Sequence, residues 1–472
     1  MGSRTDVVII GAGAAGAGAA IEAAARGATV AVIDSASAIG GTARYAGGGI
    51  CMAGSPLQEQ LGIADSPDIA LNDWLTWGGP SADEEWARRY LEGVVMEIYE
   101  RLCALGIRWG KVNWNEGNSV PRWHAPLGGG RAIMHALAKE AHRYSSIEWL
   151  LGSRVTELVV AGGRVVGVAG DGSSGPFEQR ADSVLVASGG FSNNASMVRE
   201  HATAARSAQK VLLGGGPGAV GVGHRMLARV QAQFVDMDAV WMYAFATPDY
   251  RSPNSERGLV LRSLDGDIWV NGRGQRFHDE SRRGGATGTP ALLSQRPATC
   301  WSIIDARIAA RYTVSDPVYR HGVTPIRREL DRLLAESPYI TKGDDLWAVA
   351  EGAGIDGQQL TETVSSHNRV RASGRAHDPE HGRPLVGVEP LTQPPFYAIQ
   401  LFPMARKNLG GVLTNLDCQV VDRGGRTVPG LFAAGEVAGM AGGHINGRAA
   451  LEGTMFGPSL YSGLVAGRCM TS

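Results

Sequence analysis

Gly11, Gly13 and Gly16 stand in the order G-x-G-x-x-G, between the apolar run Asp6–Ile10 and an alanine-rich stretch that includes Ala15. Each glycine in that spacing has a separate job. The first permits a tight turn, the second lets a backbone meet a pyrophosphate, and the third lets a helix pack closely on a strand. A helix beginning here would aim free N–H groups and the positive end of its dipole at a phosphate. Asp34, roughly 20 residues further on, is placed to accept a ribose hydroxyl. The chemistry implied is recognition of a dinucleotide, without a choice among dinucleotides.

These residues need particular elements to hold them. Asp6–Ile10 (DVVII) reads as a buried parallel strand. The alanine-rich stretch reads as a helix to Arg26, stopped by Gly27. Thr29–Ile33 (TVAVI) reads as a second buried strand with Asp34 at its end. A glycine-rich loop, Gly40–Gly49, leads into a mostly helical region carrying Trp74, Trp77 and Trp86. Val155–Val168 reads as strands around a hairpin at Gly162-Gly163. Ser183–Ser188 and Gly430–Ala434 read as further buried strands, and a last helix runs to about Arg468. The strand–helix rhythm is lost from about Gly214 into the 370s. The expected division is therefore a nucleotide-binding domain from 1–213 and 376–472, with a capping or substrate domain over 214–375.

Composition narrows the function further. With 472 residues, 44% hydrophobic and 19% charged, the chain can bury a sizeable core. A net charge of -1 gives no footing for nucleic acid or an anionic membrane. The 66 glycines form short clusters without a period, which suggests many close backbone approaches. None of the five cysteines (Cys51, Cys103, Cys300, Cys418, Cys469) forms a CxxC pair, so neither a metal site nor a dithiol is expected. Their odd number, and the direct passage from Met1 into a strand, lead to the expectation of a cytoplasmic protein without a targeting segment. No apolar stretch is long enough to read as a membrane span.

Further pieces carry a family resemblance. They are Gly40-Gly41-Thr42 with Ala46–Gly49, Ala187–Phe191 (ASGGF), Ile268–Glu280 (IWVNGRGQRFHDE), Gly354–Val364 (GIDGQQLTETV), Leu409–Val412 (LGGV) and Pro429–Val437 (PGLFAAGEV). In order and spacing they resemble the FAD-dependent fumarate reductase and succinate dehydrogenase flavoproteins, a family that includes 3-ketosteroid dehydrogenases. The resemblance implies an α/β fold: a Rossmann-type FAD-binding domain with a parallel central sheet, plus an inserted α+β capping domain. It implies FAD as cofactor, with Gly41, Thr42, Ala43, Gly48 and Gly49 in a second binding loop and Ala187, Ser188 and Gly189 in a third. Val155 would contact adenine through its backbone. Gly435 and Glu436 would reach the ribityl and pyrophosphate part, and Met455 and Phe456 would offer N–H groups to the flavin pyrimidine. Thr42 stands where members with covalent FAD carry a histidine, so non-covalent binding is expected.

Enzymes of this family move a hydride and a proton across a C–C bond next to a carbonyl or carboxylate. The carbonyl side then needs donors for developing negative charge. The family's acid or base position is Gly284 here, a departure that makes the neighbouring Arg283 the candidate, with Tyr243 beside it. Gly453 is the candidate oxyanion donor, and Ala449 stands where a partner tyrosine is found. Arg448, in the HxxxR spacing with His444, and Arg406, beside Lys407, are candidate carboxylate ligands. Trp241, Tyr243 and Phe245 would wall a flat pocket, unless they are simply core. Tyr45, Tyr397 and His124 are reserve acid/base groups, each also readable as structural. The expected activity is a desaturase or ene-reductase acting on a small, anionic and cyclic substrate, with an electron acceptor the sequence does not name. The alternatives are an oxidase of an amino or hydroxy acid, an electron-transfer subunit, and a catalytically silent flavin-binding protein.

Overall fold

The computed structural model describes residues 4–321 and 324–471. In chain order the first elements are strand β1 (Arg4–Ile10), helix α1 (Ala14–Ala25) and strand β2 (Val30–Asp34). Three short strands follow: β3 (Ile50–Cys51), β4 (Trp109–Asn113) and β5 (Trp123–Pro126). Then come β6 (Ile147–Leu151), β7 (Arg154–Ala161), β8 (Arg164–Gly172) and β9 (Gly175–Val186).

Val7–Ile10 and Val30–Ile33 are buried at every position, without alternation. Such strands need cover on both faces, which parallel pairing with crossover helices provides. β1 pairs in parallel with β2 on one side and β9 on the other. β6 extends the parallel set beyond β2, and Thr427–Ala433 extends it beyond β9. β7 and β8 form the hairpin expected at Gly162-Gly163, and β8 continues antiparallel to β9. The whole is a mixed α/β fold.

The chain divides into two compact units. One holds the chain through His201, Gly215–Trp241 and the chain from Lys407 onward; the other holds Ala202–Gly214 and Met242–Arg406. The expected middle domain of 214–375 needs correcting at both ends. Residues 215–241 stay with the first unit because the helix Val222–Arg229 buries Met226 and Leu227 in the same core as Val165, Val168 and Val437. Phe234–Val235 also pairs with Gly411–Val412. The segment after 375 joins the second unit because Phe396–Asn408 pairs antiparallel with Cys300–Ile304 and Ile340–Gly343. Composition cannot show which strand a segment will pair with.

One helix contact shapes the first unit. The C-terminal helix Phe456–Cys469 packs on α1 through glycines. A methyl group on Gly463 would meet the Ala15 carbonyl oxygen at 2.2 Å, and one on Gly467 would meet that of Ala19 at 2.5 Å. Only glycine allows so close an approach of two helix backbones.

Candidate functional site

The glycine turn after β1 has the geometry its spacing demands. Gly11 has a φ of 110°, and a side chain there would strike the Ala187 carbonyl at 2.4 Å. A side chain on Gly16 would strike the Gly11 carbonyl oxygen at 1.9 Å. Gly13 differs, with open space where its side chain would be. It is also the N-cap of α1, which has no side-chain cap and no acid in its first turn. The start of the C-terminal helix, capped by Met455, shares both features. Free N–H groups and an uncompensated positive dipole end suit an anion or a polar ring edge.

Other predicted loops gather on this turn. Gly41 would touch the Gly13 backbone at 3.2 Å, and Gly40 donates to the Ala12 carbonyl at 2.9 Å. A side chain on Gly435 would come within 2.9 Å of the Ala15 methyl. Side chains on Gly48 and Gly130 would strike Gly130 N and Ala43 O respectively, and Phe456 lies 3.3 Å from the Gly130 position. Gly216 faces Thr42. Gly189 has a φ of 75° and open space at its side-chain position. The register of β7 against β8 shifts between Val155 and Glu157. Such a bulge leaves backbone groups beside Val155 outside the ladder. The first unit therefore gathers Gly11, Gly13, Ala15, Gly16, Gly41, Thr42, Ala43, Gly48, Gly435 and Phe456 along one run of close backbone approaches.

Asp34 and Glu436 hold protein backbone as well. Asp34 accepts from Ala12 N at 2.6 Å and from Ala36 N at 2.7 Å, tying the glycine turn to the end of β2. A carboxylate has about four acceptor positions, so two of these bonds leave room for ribose hydroxyls. Glu436 accepts from Asn408 N at 3.2 Å. Asn408, fully buried, also donates to the Glu436 and Gly410 carbonyls and accepts from Phe191 N. It locks three of the recognised motifs together. Its place just before Leu409-Gly410-Gly411 was the available signal in the sequence. The Ser188 hydroxyl is buried without a hydrogen-bond partner among the described residues and lies toward Gly223.

A small sheet, β3–β5–β4, forms another wall. Arg122, just before β5, is fully buried and grips Asp65 through two bonds of 2.8 Å, with Asp73 as a further partner. His124 is buried too, with Nε2 2.6 Å from Ser55 Oγ and Nδ1 2.8 Å from the Arg122 carbonyl. Burial holds this imidazole down to about 4. Both nitrogens are engaged, so His124 is a structural residue and not a reserve acid or base. Trp123 lies between these two anchors, and strand alternation sends it to the opposite face. There its indole covers Gly49 and Gly453. The sequence reading passed over Trp123, because a lone aromatic on a strand carries no signal of what it covers.

Gly453 has a φ of 95°, and a side chain there would strike Cys51 N at 2.6 Å. Its carbonyl accepts from Cys51 N at 3.0 Å, while its N–H has no partner among the described residues. Nearby, Trp74 Nε1 donates to the Ile445 carbonyl at 2.9 Å and Asn446 donates to the Thr454 carbonyl at 3.1 Å. His444 is bound through Nδ1 to the Ser81 carbonyl.

The candidate arginines already have partners. Arg448 is half-exposed and makes a two-pronged pair with Asp238, at 3.1 and 2.7 Å. Arg283 pairs with buried Asp267, donates to the Glu280 carbonyl at 2.8 Å and lies over the Trp269 ring. Arg406 donates to the Gly214 carbonyl. Tyr243 is buried and stacks on Phe245 at 4.8 Å, while Trp241 is buried with Nε1 unpartnered. Tyr397 is buried in the sheet of the second unit, and Tyr45 is exposed under the Arg44 guanidinium.

Fold and cradle together define an FAD-dependent oxidoreductase. Residues 6–455 match the FAD binding domain family, and the chain belongs to that family. It is 31% identical to a KsdD-like steroid dehydrogenase of Mycolicibacterium smegmatis, over 95% of each chain. Among solved structures it resembles 3-ketosteroid-delta4-(5alpha)-dehydrogenase from Rhodococcus jostii RHA1, with a TM-score of 0.74 and 28% identity over 99% of this chain and 97% of that one. It also resembles a flavocytochrome c3 fumarate reductase, with a TM-score of 0.79 and 28% identity over 99% of this chain and 78% of the other.

Proposed function

We propose that the first unit is a Rossmann-type domain binding FAD non-covalently, that the second unit is the inserted capping domain of the family, and that the enzyme moves a hydride and a proton across a C–C bond beside a carbonyl of a small cyclic substrate. The carrying observation is the cradle: side chains on Gly11, Gly16, Gly48, Gly130 and Gly435 would collide with neighbouring atoms, Gly41 lies against the Gly13 backbone, and Gly13 itself faces open space at one of two uncapped helix starts. The bound FAD supplies the acceptor or donor of the hydride. The protein's share is to hold the carbonyl oxygen and to carry the proton. Gly453 offers its free N–H to the oxygen, where charge builds in the transition state. Tyr243 and Arg283 are the proposed proton carriers.

The substrate is read more toward a carbonyl than a carboxylate. Arg448 and Arg283 already hold aspartates, and a guanidinium so paired gives up a ligand before gripping another. Arg406, bound to a backbone carbonyl, is the remaining proposed carboxylate ligand. Trp241, Tyr243 and Phe245 are the proposed wall for a ring-shaped substrate. Five free cysteines support a reducing, cytoplasmic setting; no helix among the described residues is long and apolar enough to cross a membrane.

The test is anaerobic mixing of FAD-loaded protein with cyclic ketones and enones, following flavin absorbance. Bleaching by saturated ketones, or reoxidation of reduced enzyme by enones, is expected. A correctly folded sample that stays colourless with added FAD would overturn the reading.

A further inference from the structure

We infer that Trp123 is an oxyanion donor, its indole N–H acting beside the Gly453 N–H on one carbonyl or enolate oxygen. This rests on the reading that Gly453 holds the substrate carbonyl. Three observations in the first unit carry it.

The first is position. The Gly453 side-chain position lies 3.0 Å from Trp123 Cδ1, the carbon bonded to Nε1. The same edge of the indole lies over Gly49, whose side-chain position falls 1.8 Å from Cε2 and 2.2 Å from Nε1. The donor nitrogen is thus wedged between the second glycine loop and the candidate oxyanion donor.

The second is availability. Nε1 of Trp123 and N of Gly453 both lack hydrogen-bond partners among the described residues, and Trp123 is only half-buried. An indole N–H is a donor only, so it can serve an acceptor such as a ligand oxygen. Unlike the indole nitrogens of Trp77, Trp86, Trp109 and Trp241, which are buried unpaired, that of Trp123 is accessible and so open to a ligand oxygen. Ala449 offers no side-chain donor in its place.

The third is rigidity. Trp123 sits between Arg122 and His124, which are fully buried and fixed by Asp65, Asp73 and Ser55. The Gly453 peptide is fixed through the Cys51 bond to its carbonyl. Donors that need no reorganisation when charge develops are the most effective ones.

The test uses FAD-loaded enzyme and 4-nitrophenol, whose phenolate mimics an enolate oxygen and is visible by absorbance. The bound phenol is expected to ionise at lower pH than in water. In Trp123→Phe, which keeps a ring over Gly49, binding of the phenolate should weaken about 10- to 100-fold, with flavin spectrum and Tm retained. Trp123→Tyr, which restores a donor, should recover part of the loss. 4-Nitroanisole, with no ionisable oxygen, should bind wild type and Trp123→Phe alike. Equal phenolate affinity in wild type and Trp123→Phe would overturn the role of Trp123 alone. If the wild type neither binds the phenolate nor lowers the pH at which the phenol ionises, both this inference and the carbonyl role of Gly453 fail.

Discussion

Gly16 and Arg448 show opposite ways in which a single residue matters. Gly16 leaves no room: a methyl group would sit 1.9 Å from the Gly11 carbonyl oxygen, so backbone must move. Gly16→Ala is expected to abolish retention of FAD, read as loss of yellow colour after gel filtration, while the protein's circular dichroism stays close to that of wild type. Arg448 is half-exposed, and exposed ion pairs contribute about 0–1 kcal/mol. Arg448→Ala should therefore lower the unfolding free energy measured in urea by less than about 1 kcal/mol. A Michaelis constant raised tenfold or more in that variant, at unchanged stability, would make Arg448 a substrate ligand despite its aspartate partners. The contrast comes from surroundings: one residue is enclosed by backbone, the other by solvent.

At the scale of elements, β5 is held by a buried ion cluster and the two long helices by missing side chains. Burial pushes the Asp73 carboxyl up, but Ser119 and Arg122 outweigh it and hold the group below its ordinary range. Removing Arg122 would leave Asp65 and Asp73 buried without their cation, which costs about 3–5 kcal/mol. Arg122→Leu is expected to lower the Tm sharply and to loosen Trp123 with it, seen as a red shift in tryptophan emission. The α1 contact gives a second check. Gly463→Ala forces a methyl against the Ala15 carbonyl at 2.2 Å. Overpacking of this kind costs about 1–3 kcal/mol, measurable by chemical denaturation.

For the whole molecule, acid is the expected weakness. His124, His224 and His367 are buried, and burial holds them down to about 4, 3 and 4. In the unfolded chain the same imidazoles take protons near the ordinary value of about 6.5. Between about pH 6.5 and 4 the unfolded state then binds more protons than the folded one, so stability falls as pH falls. The loss levels off below about pH 3, once the folded state is protonated too. Urea midpoints measured from pH 7 down to 4 should decline. His224→Phe should flatten part of that slope, because His224 stacks on Phe234 and meets Phe191 edge-on without a hydrogen bond. A slope identical in the variant would assign the acid sensitivity to other groups.

The local part of this protein was determined by sequence alone. Asp6–Ile10, the glycine turn, the alanine helix and Thr29–Ile33 declare themselves because apolar continuity and glycine spacing act over a few residues. The hairpin at Gly162-Gly163 and the C-terminal helix were legible for the same reason. What only tertiary structure decided involves partners distant along the chain. Long-range packing and strand pairing placed residues 202–214 and 242–406 in the second unit, in place of the expected 214–375. Asp267, 16 residues before Arg283, and Asp238, 210 residues before Arg448, took up guanidiniums that the family resemblance had offered to a substrate. Trp123 came to lie on Gly453, some 330 residues away, because buried anchors on either side fix which face of its strand it occupies. Short-range rules fix where the backbone turns; which side chains meet depends on long-range packing, and no spacing in the sequence encodes that.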